Sequence, residues 1–180
     1  MNTIRRLFIG AALALLCGIA SAALTTAQLA TLKADILADP TLAALAAAKS
    51  YGPIATAYNQ PASPSYTLWR TNVTCQETTD AWVGTDIDVM SALNMQRLQM
   101  LLASGPVCNM SRADRRAWAE NPFGTNVNNA SRVAMRAIWK RLATRGEKLF
   151  ASGTGSDASP AVPTFEGNVA DGDVEAALKV

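Results

Sequence analysis

Among the 180 residues there is no histidine. That absence excludes a Ser-His-Asp or Cys-His nucleophile, an HExxH zinc site and an imidazole proton shuttle. Cysteine is scarce at three, too few for the disulfide framework of a small secreted miniprotein. Two thiols without CxxC spacing cannot fill a tetrahedral zinc site either. Charged residues supply only 17% of the chain, which is not the composition of a disordered polyelectrolyte. No phosphate-binding glycine loop is present, since Gly153-Thr154-Gly155 lacks the strand, helix and lysine context. No metal, cofactor or small-molecule substrate is expected, and no enzymatic activity, because the acid–base groups are scattered carboxylates.

What is abundant is alanine, 34 residues in a chain that is 49% hydrophobic. Alanine favours helices but gives thin side chains for a core. The length fits one domain with an appendage. The expected fold is mainly α: a small bundle of about five helices, a short extended segment near 68–73 and a flexible C-terminal arm.

Residues 1–22 read as a signal-peptide-like leader. Arg5 and Arg6 precede an apolar stretch from Leu7 to Ala20, followed by Ala20-Ser21-Ala22. As a helix the apolar stretch is about 21 Å long, short of the roughly 30 Å that a spanning segment needs. Cleavage is expected after Ala22; a retained anchor and a misassigned start codon are the alternatives. Removal leaves 14 basic residues, 14 acidic residues and two cysteines.

Residues 23–150 form the helical domain. Thr25 or Thr26 caps a first helix with Leu29, Leu32, Ile36 and Leu37 on one stripe. Asp39-Pro40 breaks it and opens an alanine-rich second helix to Lys49. Gly52-Pro53 interrupts again, with one more turn over Ile54–Tyr58. Residues 59–67 are turn-rich, and Leu68 to Val73 favours an extended strand. Helices are then expected over Thr85–Leu102, Ser111–Ala119 and 128–150. The last carries Met135, Ile138, Trp139, Leu142 and Leu149 as a buried stripe, with Gly146 as an internal cost of roughly 1 kcal/mol. Residues 151–163 read as a linker, and 171–178 as a final short helix, so 151–180 is a linker and acidic arm.

The neutral total conceals an alternation of sign. Residues 23–96 carry three basic and six acidic groups, 97–148 ten and three, and 149–180 one and five. Within the basic block Arg132, Arg136 and Lys140 recur every four residues, with Arg141, Arg145 and Lys148 alongside. This is a solvated helix face, or a face that docks an acidic partner or the acidic arm of a neighbouring copy. Nucleic-acid or membrane-surface binding would want an overall basic domain and aromatic stacking groups, which are not evident.

Cys75 and Cys108 form an even pair 33 residues apart, bonded if the chain is exported and two small buried thiols if it is not. Asp86-Ile87-Asp88 and Asp171-Gly172-Asp173 offer oxygens but do not continue into a calcium loop, so capping or turn roles are expected. Sequons at Asn72, Asn109 and Asn129 matter only in a host that glycosylates exported chains.

Three blocks carry a resemblance. They are residues 23–36 (Ala-Leu-Thr-Thr-Ala-Gln-Leu-Ala-Thr-Leu-Lys-Ala-Asp-Ile), 58–64 with Leu68-Trp69-Arg70-Thr71, and 143–150 with the Gly-Thr-Gly stretch and Thr164-Phe165-Glu166-Gly167. Together they resemble a family of small virion morphogenesis proteins from tailed bacteriophages and prophages of proteobacteria. The resemblance implies a non-enzymatic structural subunit at the head–tail region, a connector, adaptor or tail-assembly protein. Its partners would be other copies of itself and portal or tail subunits, and its location the virion, assembled in the host cytoplasm. The leader departs from that family's pattern. If it is genuine, the alternative is an exported periplasmic binding or accessory protein with one disulfide.

Overall fold

A computed structural model describes residues 24–103 and 105–180; the leader read at 1–22, with Cys17, lies outside the described residues. The chain is mainly helical. Ten α-helices and two two-stranded ribbons occur among the described residues, more and shorter helices than the five expected.

Local chemistry explains the subdivision. Helix α1 (Thr26–Ala38) begins at a capping box in which Thr25 Oγ1 accepts the Gln28 N–H and Gln28 Oε1 accepts the Thr25 N–H. Asp39 then ends α1 and opens α2 (Pro40–Ala47), its Oδ1 accepting the Thr41 and Leu42 N–H groups at 3.0 and 3.3 Å. Helix α3 (Tyr51–Tyr58) contains Gly52-Pro53 instead of being interrupted by it. Pro53 sits in the first turn, where no N–H is needed.

These helices meet α9 (Arg145–Phe150) and α10 (Asp171–Lys179) around a first core. Leu32, Ile36, Ile54, Tyr58, Val174 and Ala177 are fully buried there, closed by Phe150 and Phe165 in an edge-to-face pair at 5.5 Å. Full burial of each leucine or isoleucine contributes roughly 1.5–3 kcal/mol.

The middle of the chain builds a second core. It is formed by β2 (Val73–Thr74), α4 (Cys75–Asp80), α5 (Gly84–Asp88), α6 (Ala92–Ala103), β3 (Val107–Cys108), α7 (Ala113–Glu120), a 3-10 turn at Asn121–Phe123 and α8 (Ala130–Ile138). Val73, Leu98, Leu101, Met110, Met135 and Trp139 fill it. The expected helix over Thr85–Leu102 is divided between α5 and α6, where the Ser91 hydroxyl accepts the Asn94 N–H.

A ribbon joins the two cores. β1 (Thr67–Trp69) pairs antiparallel with β4 (Lys140–Leu142), and Ala161 bridges Leu68 from the other side. Leu68, Ala143 and Ala161 are buried together at this seam. The extended segment expected near 68–73 is present, as β1 and β2.

Two further expectations are corrected. Residues 128–150 are not one helix: α8 ends at Ile138, β4 follows, and a second capping box between Thr144 and Glu147 starts α9. Leu142, expected in the buried stripe, is 66% exposed. Gly146 is not a mid-helix cost but a close-approach site in the first turn of α9, where an added Cβ would meet Val169 Cγ2 at 3.0 Å.

The second correction concerns 151–180, which is not a flexible arm. Ser152 and Val162 exchange both backbone hydrogen bonds at 2.9 and 2.8 Å, and Thr67 N–H donates to the Gly155 carbonyl at 2.7 Å. Gly155 has φ +65°, and the ring of Tyr66 occupies the space of its missing Cβ. Beyond it, α10 packs on α1 and α3 as part of the first core. Apolar burial of Phe165, Val169, Val174 and Ala177 outweighs the entropy of a free tail.

Sorting charge by core reveals a polarity. Residues 24–66 with 143–180 carry five basic and eight acidic groups; residues 67–142 carry nine and six. The molecule has an acidic lobe of net −3 and a basic lobe of net +3.

Candidate interaction surfaces

The six basic residues of the expected face do not share one helix, because α8 ends at Ile138 and the chain goes on as β4 and α9. Arg132 and Arg136, on α8, both reach the buried Glu120 on α7. Arg132 Nη2 donates to Oε2 at 2.8 Å, and Arg136 donates through Nε and Nη2 at 2.6 Å each. Burial pushes the Glu120 carboxyl up, but hydrogen bonds from Arg136 and Arg132 outweigh it and hold it below the ordinary carboxylate range.

Lys140, on β4, donates to Asp157 at 2.6 Å. Arg141 spans two carboxylates, making a bidentate pair with the buried Glu147 at 2.7 and 2.8 Å and reaching Glu166 at 2.9 Å. Burial raises the Glu147 carboxyl, and hydrogen bonds from Arg141 and the Thr144 N–H bring it below its usual value. Arg145 belongs to the acidic lobe, where it contacts Asp35 and Asp39 and stacks over Tyr58 at 4.9 Å. Lys148 lies over the Tyr66 ring at 5.7 Å.

The acidic arm and the basic block therefore do meet, through Lys140–Asp157 and Arg141–Glu166, but within one chain. The sequence shows the complementarity of sign and leaves open which copy supplies each side.

A more open surface lies on the basic lobe. Met100 of α6 is 63% exposed and Trp118 of α7 is 48% exposed. They line a groove of about 310 Å³ with Leu101, Arg112, Asp114 and Arg115. Leu93, two helical turns before Met100 on α6, is also exposed. The sequence does not single out Met100 or Trp118. Met100 and Trp118 differ from core residues only in which side of α6 and α7 the second core takes up, and the periodicity of two short helices does not define that side.

A larger cavity of about 490 Å³ is lined by Trp69, Arg116, Glu120, Arg136, Lys140 and Asp157, among others. Arg116 stacks over Trp69 at 4.1 Å and donates to the Met110 and Ser111 carbonyls. The two carboxylates here accept hydrogen bonds from Arg132, Arg136 and Lys140.

The structure brings Cys75 and Cys108 together, with their sulfurs 3.3 Å apart as free thiols. Asp86 accepts across a long separation in sequence and not within its own turn: its Oδ2 takes the Ser131 N–H and hydroxyl of α8 at 2.9 and 2.7 Å. Asp173 Oδ2 accepts the Ala170 N–H at the start of α10. Among the described residues no helix is long and apolar enough to cross a membrane.

Comparison with protein-family models, with curated proteins and with solved structures finds no match to this chain.

Proposed function

We propose that this chain is a non-enzymatic structural subunit of a tailed phage particle, a head–tail connector, adaptor or tail-assembly protein that acts through protein–protein contacts. One observation carries the contact-based part: the Met100–Trp118 groove on the net-positive lobe, opposite in sign to the lobe built around α10. The occupant that fits is a second copy of this chain, presenting its acidic lobe with Asp171 and Asp173. Repetition of such a heterologous contact closes into a ring when the rotation permits. This replaces a tail exchanged between copies, because 151–180 is part of its own chain's core. The virion assignment rests on the resemblance of residues 23–36, 58–71 and 143–167.

The test is sedimentation velocity of the full chain and of Trp118→Ala over a range of concentration and salt. Self-association that weakens with salt and with the substitution, at unchanged melting temperature, is the expected outcome. A wild-type chain that is monomeric throughout, with no association to portal or tail subunits, sinks the contact model. Mass spectrometry of purified particles tests the virion assignment.

The 3.3 Å approach of the Cys75 and Cys108 sulfurs favours a second reading, an exported periplasmic accessory protein. A native-host mass beginning at Ala23 would support it.

A further inference from the structure

Cys75 follows β2 and opens α4, while Cys108 lies in β3. The ladder pairs Val73 with Cys108 and Thr74 with Val107. Side chains alternate along a strand, so Cys75 falls on the Cys108 face, one diagonal step away. The chain leaves through Cys75 into α4, α5 and α6 and returns at Cys108. The two thiols therefore stand at the neck of a 33-residue excursion. The neck is held by strands of two residues each, by Cys75 N–H donating to the Pro106 carbonyl at 3.2 Å and by Met110 N–H donating to the Arg70 carbonyl at 3.0 Å.

The two sulfurs are inequivalent. Cys75 is half-buried, and its S–H donates to the Gly105 carbonyl at 2.9 Å. Cys108 is buried against Val73 and Met110 in the second core. Burial, and then the contact with Cys75, pushes the Cys108 thiol above its ordinary range.

We propose that Cys75 and Cys108 are a dithiol–disulfide pair, oxidised by exchange with a disulfide-bearing oxidant, and that the bond fastens the neck of the 75–108 excursion. Cys75 reacts first, since it is the sulfur that solvent reaches. Its thiolate attacks one sulfur of the oxidant, whose S–S bond breaks and releases one thiol, leaving a mixed disulfide on Cys75. Cys108 then loses its proton, and its sulfur attacks Cys75 Sγ and expels the second thiol. Two electrons pass from the protein sulfurs to the oxidant, and the two protein protons balance the two thiols released. This step goes beyond the contact-based role and depends on the redox poise of the surroundings, not on the identity of any partner.

The experiment uses the full chain carrying Cys17→Ser, reduced, equilibrated in glutathione buffers of graded ratio, then alkylated and weighed intact. The expected result is the loss of both alkylation sites together in oxidising buffer and a peptide linking Cys75 to Cys108. A melting temperature raised by roughly 10 °C should accompany it, reversed by dithiothreitol. Cys108→Ser should trap one glutathione on Cys75, while Cys75→Ser should take up none. Circular dichroism of the reduced variants confirms that they fold. Two sites still alkylated in oxidised glutathione, a bond between two chains instead of within one, or an adduct on Cys108 in the Cys75→Ser chain would overturn the proposal.

Discussion

Arg136 grips Glu120 through two parallel hydrogen bonds, Nε to Oε1 and Nη2 to Oε2, each 2.6 Å long. Arg132 adds a third to the same carboxylate and donates through Nη1 to the Gly124 carbonyl. The cluster ties α7 to α8 beside the second core. Glu120→Gln would leave two guanidinium groups, one of them 10% exposed, without their counter-charge. Breaking such a pair from the buried side costs about 3 kcal/mol, whereas Arg136→Ala, at a 39% exposed side chain, should cost under about 1 kcal/mol. Urea unfolding of the two variants measures the difference, and equal penalties would contradict the arrangement.

The same cluster sets a pH dependence. The folded-state pKa values of Glu120 and Glu147 both lie below their ordinary range. A depressed carboxylate contributes stability above its unfolded pKa of about 4.3, and loses it as pH falls through the folded value. The urea midpoint should therefore be level near neutrality and fall steeply below about pH 4. The gap between wild type and Glu120→Gln should narrow over the same interval. A gap that stays constant down to pH 2.5 would mean that Glu120 titrates normally.

Some of this architecture is legible from residue types alone. Thr25 and the Asp39-Pro40 step place α1 and α2, because a side-chain cap and a proline act within a few residues of themselves. The final helix at 171 has no N-cap side chain; Asp173 Oδ2 accepts the Ala170 N–H there instead. The division of 128–150 was also written locally, in Thr144-x-x-Glu147, but the apolar spacing of Met135, Ile138, Trp139, Leu142 and Leu149 suggests an unbroken helix. Trp139, the C-cap of α8, is buried in the second core, and the pairing of β4 with β1 decides the outcome. That pairing joins residues about seventy positions apart, beyond the reach of any window. The basic residues suffered similarly: their spacing is legible, but the carboxylates that meet them come from Asp35, Glu120, Asp157 and Glu166, distant in sequence. For the thiols, sequence supplies an even pair and only the β2–β3 ribbon supplies the contact.

Gly155 tests whether residues 151–163 are structural. Its φ of +65° disfavours any L side chain, and an added methyl would overlap the Tyr66 ring. Tyr66 cannot yield freely, because its hydroxyl donates to the Gly153 carbonyl at 2.7 Å. Gly155→Ala should destabilise by about 2 kcal/mol, and Tyr66 fluorescence should respond with it. Gly172→Ala, at a helical glycine with open space around it, is the control and should be neutral or slightly stabilising. Indistinguishable melting of the Gly155 variant would show that this segment is not anchored.

Removing residues 171–180 makes the sharpest contrast between an appended arm and an integral helix. A tethered acidic tail would leave the helical domain intact when deleted, and would change only its contacts with other molecules. Here Val174 and Ala177 are fully buried against α1 and α3, and Lys33 Nζ donates to the Val180 carbonyl at 3.0 Å. Deletion exposes Leu32, Ile36 and Ile54, whose burial carries the acidic lobe. Losing two buried side chains and uncovering three more exceeds about 5 kcal/mol, a large part of the stability of an ordinary domain. The truncated chain should lose helical ellipticity at 222 nm by more than its ten missing residues account for. The second core, to which α10 contributes no residue, should keep the burial of Trp139 in fluorescence. Full retention of helicity would instead make 171–180 a true appendage, and would reopen exchange of that segment between copies.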